Sequence, residues 1–179
     1  MDIFDIILKE IEDVLSRVNT QEMNHTLSCL DKKHRIFVGG EGRSGLVARG
    51  FAMRLMHLGY TVYVAGETIT PDLAAEDLFI GVSGSGASAN VVNDAAKARN
   101  AGCRLLAITG KHDSPLAEAS DAVLCVPGTA NGDTGDDSGS VQLLSSLFDQ
   151  SLHIVLDALC LAVSLRDVTD NTSATDSYW

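Results

Sequence analysis

Two loops rich in glycine and serine, Gly40-Glu41-Gly42-Arg43-Ser44-Gly45 and Ser83-Gly84-Ser85-Gly86, each follow a short apolar run and precede a helical pattern. Glycine at such a corner lets backbone N–H groups approach an oxyanion, and the helix N-terminus adds positive potential. Ser83, Ser85 and Ser88 add hydroxyls suited to a phosphate monoester. Serine and glycine also build ordinary turns and N-caps, but two such loops on one sheet edge point to an anion site. The first loop also spells G-x-G-x-x-G, and Glu67 stands near where a ribose-binding acid is expected, so a dinucleotide is the competing ligand. A dinucleotide enzyme would need a further substrate domain, for which this chain has no room, and it leaves the second loop unexplained.

The elements that must position these loops follow from the apolar pattern. Ile36 to Val38, Thr61 to Ala65, Leu78 to Val82, Leu105 to Thr109 and Ala122 to Val126 read as buried parallel strands. Between them lie helical patterns, with Val47, Phe51, Leu55 and Leu58 in the first crossover and an alanine-rich stretch from Ala87 to Ala101 in the second. The alternation predicts an α/β fold: a single doubly wound domain whose five-stranded parallel sheet is flanked by helices. Ligands of such sheets sit beyond the carboxyl ends of the strands, so both loops should face one pocket.

Residues 2–30, with Ile3, Ile7, Ile11, Val14, Leu15 and Val18 at helical spacing, predict one or two amphipathic helices ahead of the first strand. The small polar residues from Pro127 to Gly139 predict a mobile loop. A long helix follows, carrying Leu143, Leu144, Leu147, Phe148, Leu152, Val155, Leu156 and Leu159. It is apolar on more than one side, as a helix between a sheet and another chain would be, and therefore predicts a homo-oligomer. The domain is expected over residues 1–166, with a polar tail from Asp167 to Trp179.

Composition removes several functions. The 179 residues carry 13 Lys plus Arg against 24 Asp plus Glu, a net charge of −11, which argues against nucleic acid as a partner. Such a chain still holds a small phosphate if amides, hydroxyls and a local cation do the binding. Cys29, Cys103, Cys125 and Cys160 show no metal or redox spacing and read as reduced core thiols. The N-terminus is acidic and amphipathic, and no apolar stretch is expected to reach membrane-spanning length, so a cytoplasmic protein without a membrane partner is expected.

Several segments together resemble one family. Gly42-Arg43-Ser44-Gly45-Leu46, Phe51-Ala52-Met53-Arg54-Leu55-Met56-His57-Leu58-Gly59, Gly66-Glu67-Thr68-Ile69-Thr70-Pro71, Ser83-Gly84-Ser85-Gly86 and Gln142-Leu143-Leu144-Ser145-Ser146-Leu147-Phe148-Asp149-Gln150 are similar to the 6-phospho-3-hexuloisomerases, members of the sugar-isomerase (SIS) domain superfamily. The loop motif alone marks the superfamily, whereas the segments ending in Gly59 and Pro71 are more specific, and the likeness covers nearly the whole chain.

The resemblance implies a flavodoxin-like topology and interconversion of 3-hexulose 6-phosphate and fructose 6-phosphate. It also implies a tetramer with shared sites, without metal or cofactor. Ser44, Ser83, Ser85 and Ser88 would hold the phosphate of this hexose phosphate substrate, next to Gly42. Arg43 would neutralise that phosphate or orient a sugar hydroxyl, and Glu67 would accept a hydroxyl or anchor its loop. The family's base is a glutamate where this chain has Asp149, and a single carboxylate can carry a proton between adjacent carbons through an enediol. His57, given a part in ring opening by the resemblance, lies fourteen residues after Arg43 on one predicted helix. That is about 20 Å at ~1.5 Å per residue, so it would serve a neighbouring subunit's pocket or simply cap and pack its helix.

The chain departs from the family pattern at Glu41 (alanine in the family), Ala87 (glutamate) and Asp149 (glutamate). His153, four residues after Asp149, shares its helix face and is placed either to pair with it or to make a plain intrahelical contact. The rival reading is a non-catalytic sugar-phosphate sensor using the same pocket.

Overall fold

Alternating burial on two faces organises the chain. The computed structural model describes residues 2–128 and 140–168. Five parallel strands, β1 (Ile36–Gly40), β2 (Val62–Val64), β3 (Leu78–Ser83), β4 (Arg104–Thr109) and β5 (Ala122–Cys125), form one sheet in the order β2-β1-β3-β4-β5. Central β3 is buried along its whole length, which is why it reads as an unbroken apolar run. Val38, Ile80 and Leu106 stand in register on one face, and Phe37, Phe79 and Leu105 on the other. The order of connection reverses between β1 and β3, so a crevice opens beyond their carboxyl ends.

Helices α1 (Ile3–Ser16), α2 (Thr20–Cys29), α3 (Gly42–His57) and α6 (Ser146–Asp167) cover the first face. Helices α4 (Ala89–Asn100) and α5 (Pro115–Glu118) cover the second. The Asn19 side chain caps α2 by accepting from the N–H groups of Gln21 and Glu22, and Ser114 caps α5 through Ala117 N–H. At the end of α6, Arg166 donates to the carbonyls of Leu27 and Leu30, tying that end to the exit from α2.

All five expected strands form within a residue or two of their expected ends. Four details differ from expectation. The crossover from β2 to β3 holds no helix; residues 65–77 run as turns, pinned where Thr70 Oγ1 donates to Val64 O at 2.6 Å. Leu143 and Leu144 fall outside α6 because Leu144 takes a left-handed φ of 53°, which ends any helical path before Ser145. Asp167, assigned by its polarity to the tail, remains the last residue of α6, where its carboxylate accepts from Tyr60 OH at 2.6 Å. The fourth is a correction: the 22-residue α6 is long and apolar enough to cross a membrane. More than half of its apolar stretch is buried, and it packs on α1, α2 and α3, as the core helix of a globular domain does.

The expected loop through Gly139 and the tail lie outside the described residues, apart from Pro127, Gly128, Asp167 and Val168. The four cysteines are buried free thiols, and burial pushes Cys125 up to about 11 and Cys160 up to about 12, so neither ionises near neutrality.

The glycines of the first loop have separate tasks. A Cβ on Gly45 would stand 2.7 Å from the carbonyl oxygen of Gly40 and 2.8 Å from its carbon, so α3 meets β1 backbone to backbone. Neither partner is a side chain that can swing away. Gly45→Ala is therefore expected to lower the unfolding free energy by about 1–3 kcal/mol, as overpacking does. Urea denaturation measures this, and an unchanged midpoint would show that the corner yields.

Candidate active site

At the end of β1 the chain turns through Glu41, in extended conformation, into Gly42, whose φ of 59° is one that side chains adopt only with strain. The first-turn N–H groups of α3 have no intrahelical acceptor and point out of its N-terminus. At the end of β3 the second loop folds around Ser83. Its Oγ lies 2.8 Å from Ser88 Oγ and accepts from Gly86 N–H at 3.1 Å, while Ser85 Oγ accepts from Ala87 N–H at 3.2 Å. Gly86 is required here: its φ is 65°, and a Cβ would run into the Ser114 side chain. Ser88 sits at the N-cap of α4.

The two loops face each other across a cleft of about 260 Å³ at the β1/β3 switch point. Glu41, Gly42, Arg43 and Ser44 form one wall, Gly84, Ser85 and Ser88 the second, and Leu143 to Ser146 a third. Ser83 is 2% exposed and lies beneath the second wall, holding Ser88 in place.

Asp149, in the first turn of α6, is the buried acid of the site at 1% exposure. Ser44 Oγ donates to its Oδ1 at 2.6 Å and Ser145 Oγ to its Oδ2 at 2.7 Å. Arg43 Nε approaches Oδ2 to 3.9 Å, and Arg43 Nη1 donates to Ser146 Oγ at 2.9 Å. Asp149 is absent from the residues that line the cleft; the hydroxyls of Ser44 and Ser145, which do line it, stand in front.

Of the expected site residues, the cleft gathers Gly42, Arg43, Ser44, Ser85 and Ser88, with Ser83 and Asp149 directly behind. Two others stand apart. His57 is buried at the far end of the 16-residue α3. Glu67 lies off the cleft in an ion pair with Arg49, 2.6 Å long and largely exposed. Of the two readings of His153, the structure shows the plain intrahelical contact: it faces Asp157 at 3.4 Å, while the Asp149 oxygens are turned inward to the serines. Among the described residues, no cluster of three or more His, Cys, Asp or Glu stands ready for a metal.

Sequence reasoning missed the third wall, Ser145 as a partner of Asp149, and Asn90, whose Nδ2 donates to Glu41 Oε1 at 2.7 Å. The four-residue spacing of Ser145 and Asp149 was the available signal for one of these. It also missed Glu10 on α1, whose carboxylate anchors the approach to the third wall. Ser140 Oγ, Val141 N–H and Gln142 Nε2 each donate to it at 2.9 Å.

With this geometry in view, the comparisons with known proteins are specific. The SIS domain family model matches residues 29–162. The chain is 42% identical over 154 residues to the 3-hexulose-6-phosphate isomerase of Mycobacterium gastri, spanning 86% of this chain and 77% of the relative. It is 35% identical over 165 residues to the 3-hexulose-6-phosphate isomerase of Bacillus subtilis strain 168, spanning 92% and 89%. A protein of Methanococcus jannaschii, whose crystal structure infers a molecular function of 3-hexulose-6-phosphate isomerase, superposes with a TM-score of 0.84 at 27% identity. That match spans 99% of this chain and 97% of the other.

The anchoring of the third wall has a definite pH dependence. Burial works to raise the Glu10 carboxyl, and the hydrogen bonds from Val141 N–H, Gln142 and Ser140 together outweigh it, holding it below its ordinary value of 4.5. A depressed folded value stabilises the anchored form above the unfolded value, and that stabilisation is lost as pH falls through the lowered one. NMR titration should place Glu10 below 4.5, with the Val141 amide shifting along the same curve. A normal Glu10 titration, or a Val141 amide indifferent to it, would contradict the anchor.

Proposed function

The chain belongs to the SIS domain family, and from that premise we propose that it interconverts 3-hexulose 6-phosphate and fructose 6-phosphate. One observation carries the reading: the corners after β1 and β3 open on a single cleft, with a hydroxyl-bridged carboxylate behind its wall. The phosphate docks where the N-termini of α3 and α4 meet, on first-turn N–H groups and the hydroxyls of Ser85 and Ser88, with Arg43 supplying positive charge. Ser83 supports Ser88 from below.

Moving the carbonyl from C3 to C2 requires two transfers: a proton goes from C2 to C3, and another from O2 to O3, through an enediol, without net oxidation. Asp149 meets the substrate through Ser44 and Ser145, so this trio suits the oxygen-to-oxygen transfer, in which a hydroxyl gives one proton and receives another. Any part that His57 and Glu67 take in turnover is played at a neighbouring subunit's cleft, since both lie away from this one.

The enzyme works as a homo-oligomer, a tetramer, in the cytoplasm. Support for assembly comes from α3 and α6, which pack on each other and leave Leu46, Met53, Met56, Ile154, Leu161 and Leu165 exposed. Sedimentation equilibrium should show an assembly that Leu161→Glu shifts toward smaller species; a monomeric wild type would remove this part of the reading.

The assay is direct formation of fructose 6-phosphate from 3-hexulose 6-phosphate. Each of Ser85→Ala and Ser88→Ala should raise KM about tenfold or more while moving kcat less, since a hydrogen bond to a charged group contributes roughly 1.5–3 kcal/mol. Binding of fructose 6-phosphate without turnover would leave a sugar-phosphate sensor as the reading. Absence of both would exclude the isomerase and the sensor together.

A further inference from the structure

A base that removes a carbon-bound proton must touch the substrate, and the two carboxylates at this cleft differ in access. Asp149 is 1% exposed, and each of its oxygens already accepts a serine hydroxyl. Glu41 is exposed and forms part of the cleft wall.

Its conformation is informative. Glu41 occupies the N-cap position of α3, yet its side chain makes no cap hydrogen bond to its own helix. It reaches across the cleft instead, where Asn90, in the first turn of α4, donates to Oε1 at 2.7 Å. Among the described residues the other oxygen, Oε2, has no hydrogen-bond donor. The carboxylate is therefore held by one oxygen between the N-terminal ends of α3 and α4, on the cleft wall, with the second oxygen left for the cleft.

Resting on the isomerase reading, we propose that Glu41 is the catalytic base that carries the carbon-bound proton, and that Asn90 is its positioning residue. Glu41 takes the proton from C2 of 3-hexulose 6-phosphate. The C–H electron pair becomes the C2=C3 bond, and the carbonyl pair moves onto O3. A serine hydroxyl of the Ser44–Asp149–Ser145 group gives its proton to O3 as it takes the proton of O2, the O2 pair then re-forms a carbonyl at C2, and the C2=C3 pair takes the proton from Glu41 at C3. Every proton is returned, and no oxidant or reductant is needed.

The test compares the full-length wild type with Glu41→Gln, Glu41→Asp, Asp149→Asn and Asn90→Ala, each checked for its fold by circular dichroism. Three readouts are taken: turnover, uptake of solvent deuterium at C3 of fructose 6-phosphate by NMR, and affinity for fructose 6-phosphate by calorimetry. Glu41→Gln should lower turnover and deuterium uptake together by about 10²–10⁴-fold, the usual contribution of a general base, with affinity kept within about threefold. Glu41→Asp should recover part of that loss. Asn90→Ala should lower kcat with KM little changed, and Asp149→Asn should retain measurable deuterium uptake. Glu41→Gln with turnover and uptake near wild type would overturn the assignment, as would uptake abolished by Asp149→Asn alone. A wild type that neither turns over nor exchanges deuterium would remove the isomerase reading itself, a result distinct from failure of Glu41 in an active enzyme.

Discussion

A hydrogen bond of 2.6 Å between Ser44 Oγ and Asp149 Oδ1 joins residues 105 positions apart, and the cleft is organised around it. It couples the first turn of α3 to the first turn of α6, and Ser145 closes the same carboxylate from the other side. A buried acid is tolerated when donors satisfy it, and here the donors also face the cleft. The bond can form only because α3 lies close against β1, with Gly45 on Gly40, so the glycine corner and the acid belong to one construction.

Three helix N-termini, those of α3, α4 and α6, surround the cleft, since Gly42, Ser88 and Ser146 all line it. Their unsatisfied N–H groups and aligned dipoles create positive potential locally. A chain with a net charge of −11 can thus present an anion site without a basic surface. Arg43 is the one cation among the described lining residues, and it is shared between Asp149 and Ser146. Glu41 stands on the same cleft wall, its carboxylate tied to Asn90 across the cleft.

The third wall shows how distant parts of the chain complete a site. Leu143 and Leu144 are among the most exposed large apolar residues, and they stand where the cleft needs a side. The preceding residues are held by Glu10, on the first helix, which is how an N-terminal element comes to bear on the cleft.

The five strands, the two glycine loops and the burial of α6 were legible in the residues alone. A strand covered on both faces must be apolar throughout, a positive φ selects glycine, and a helix buried on several sides must be apolar on them. These are constraints a segment meets by itself. Tertiary structure decided the rest. Leucines at 143 and 144 continue the helical pattern of α6, yet a left-handed turn at Leu144 places both outside the helix. Whether a carboxylate faces solvent or protein depends on what arrives from elsewhere in the chain: Ser44 and Ser145 turn Asp149 inward, and Asn90 holds Glu41 at the cleft. Local sequence specifies backbone geometry and burial pattern, whereas the accessibility of a charged group is set by contacts between segments that only folding brings together.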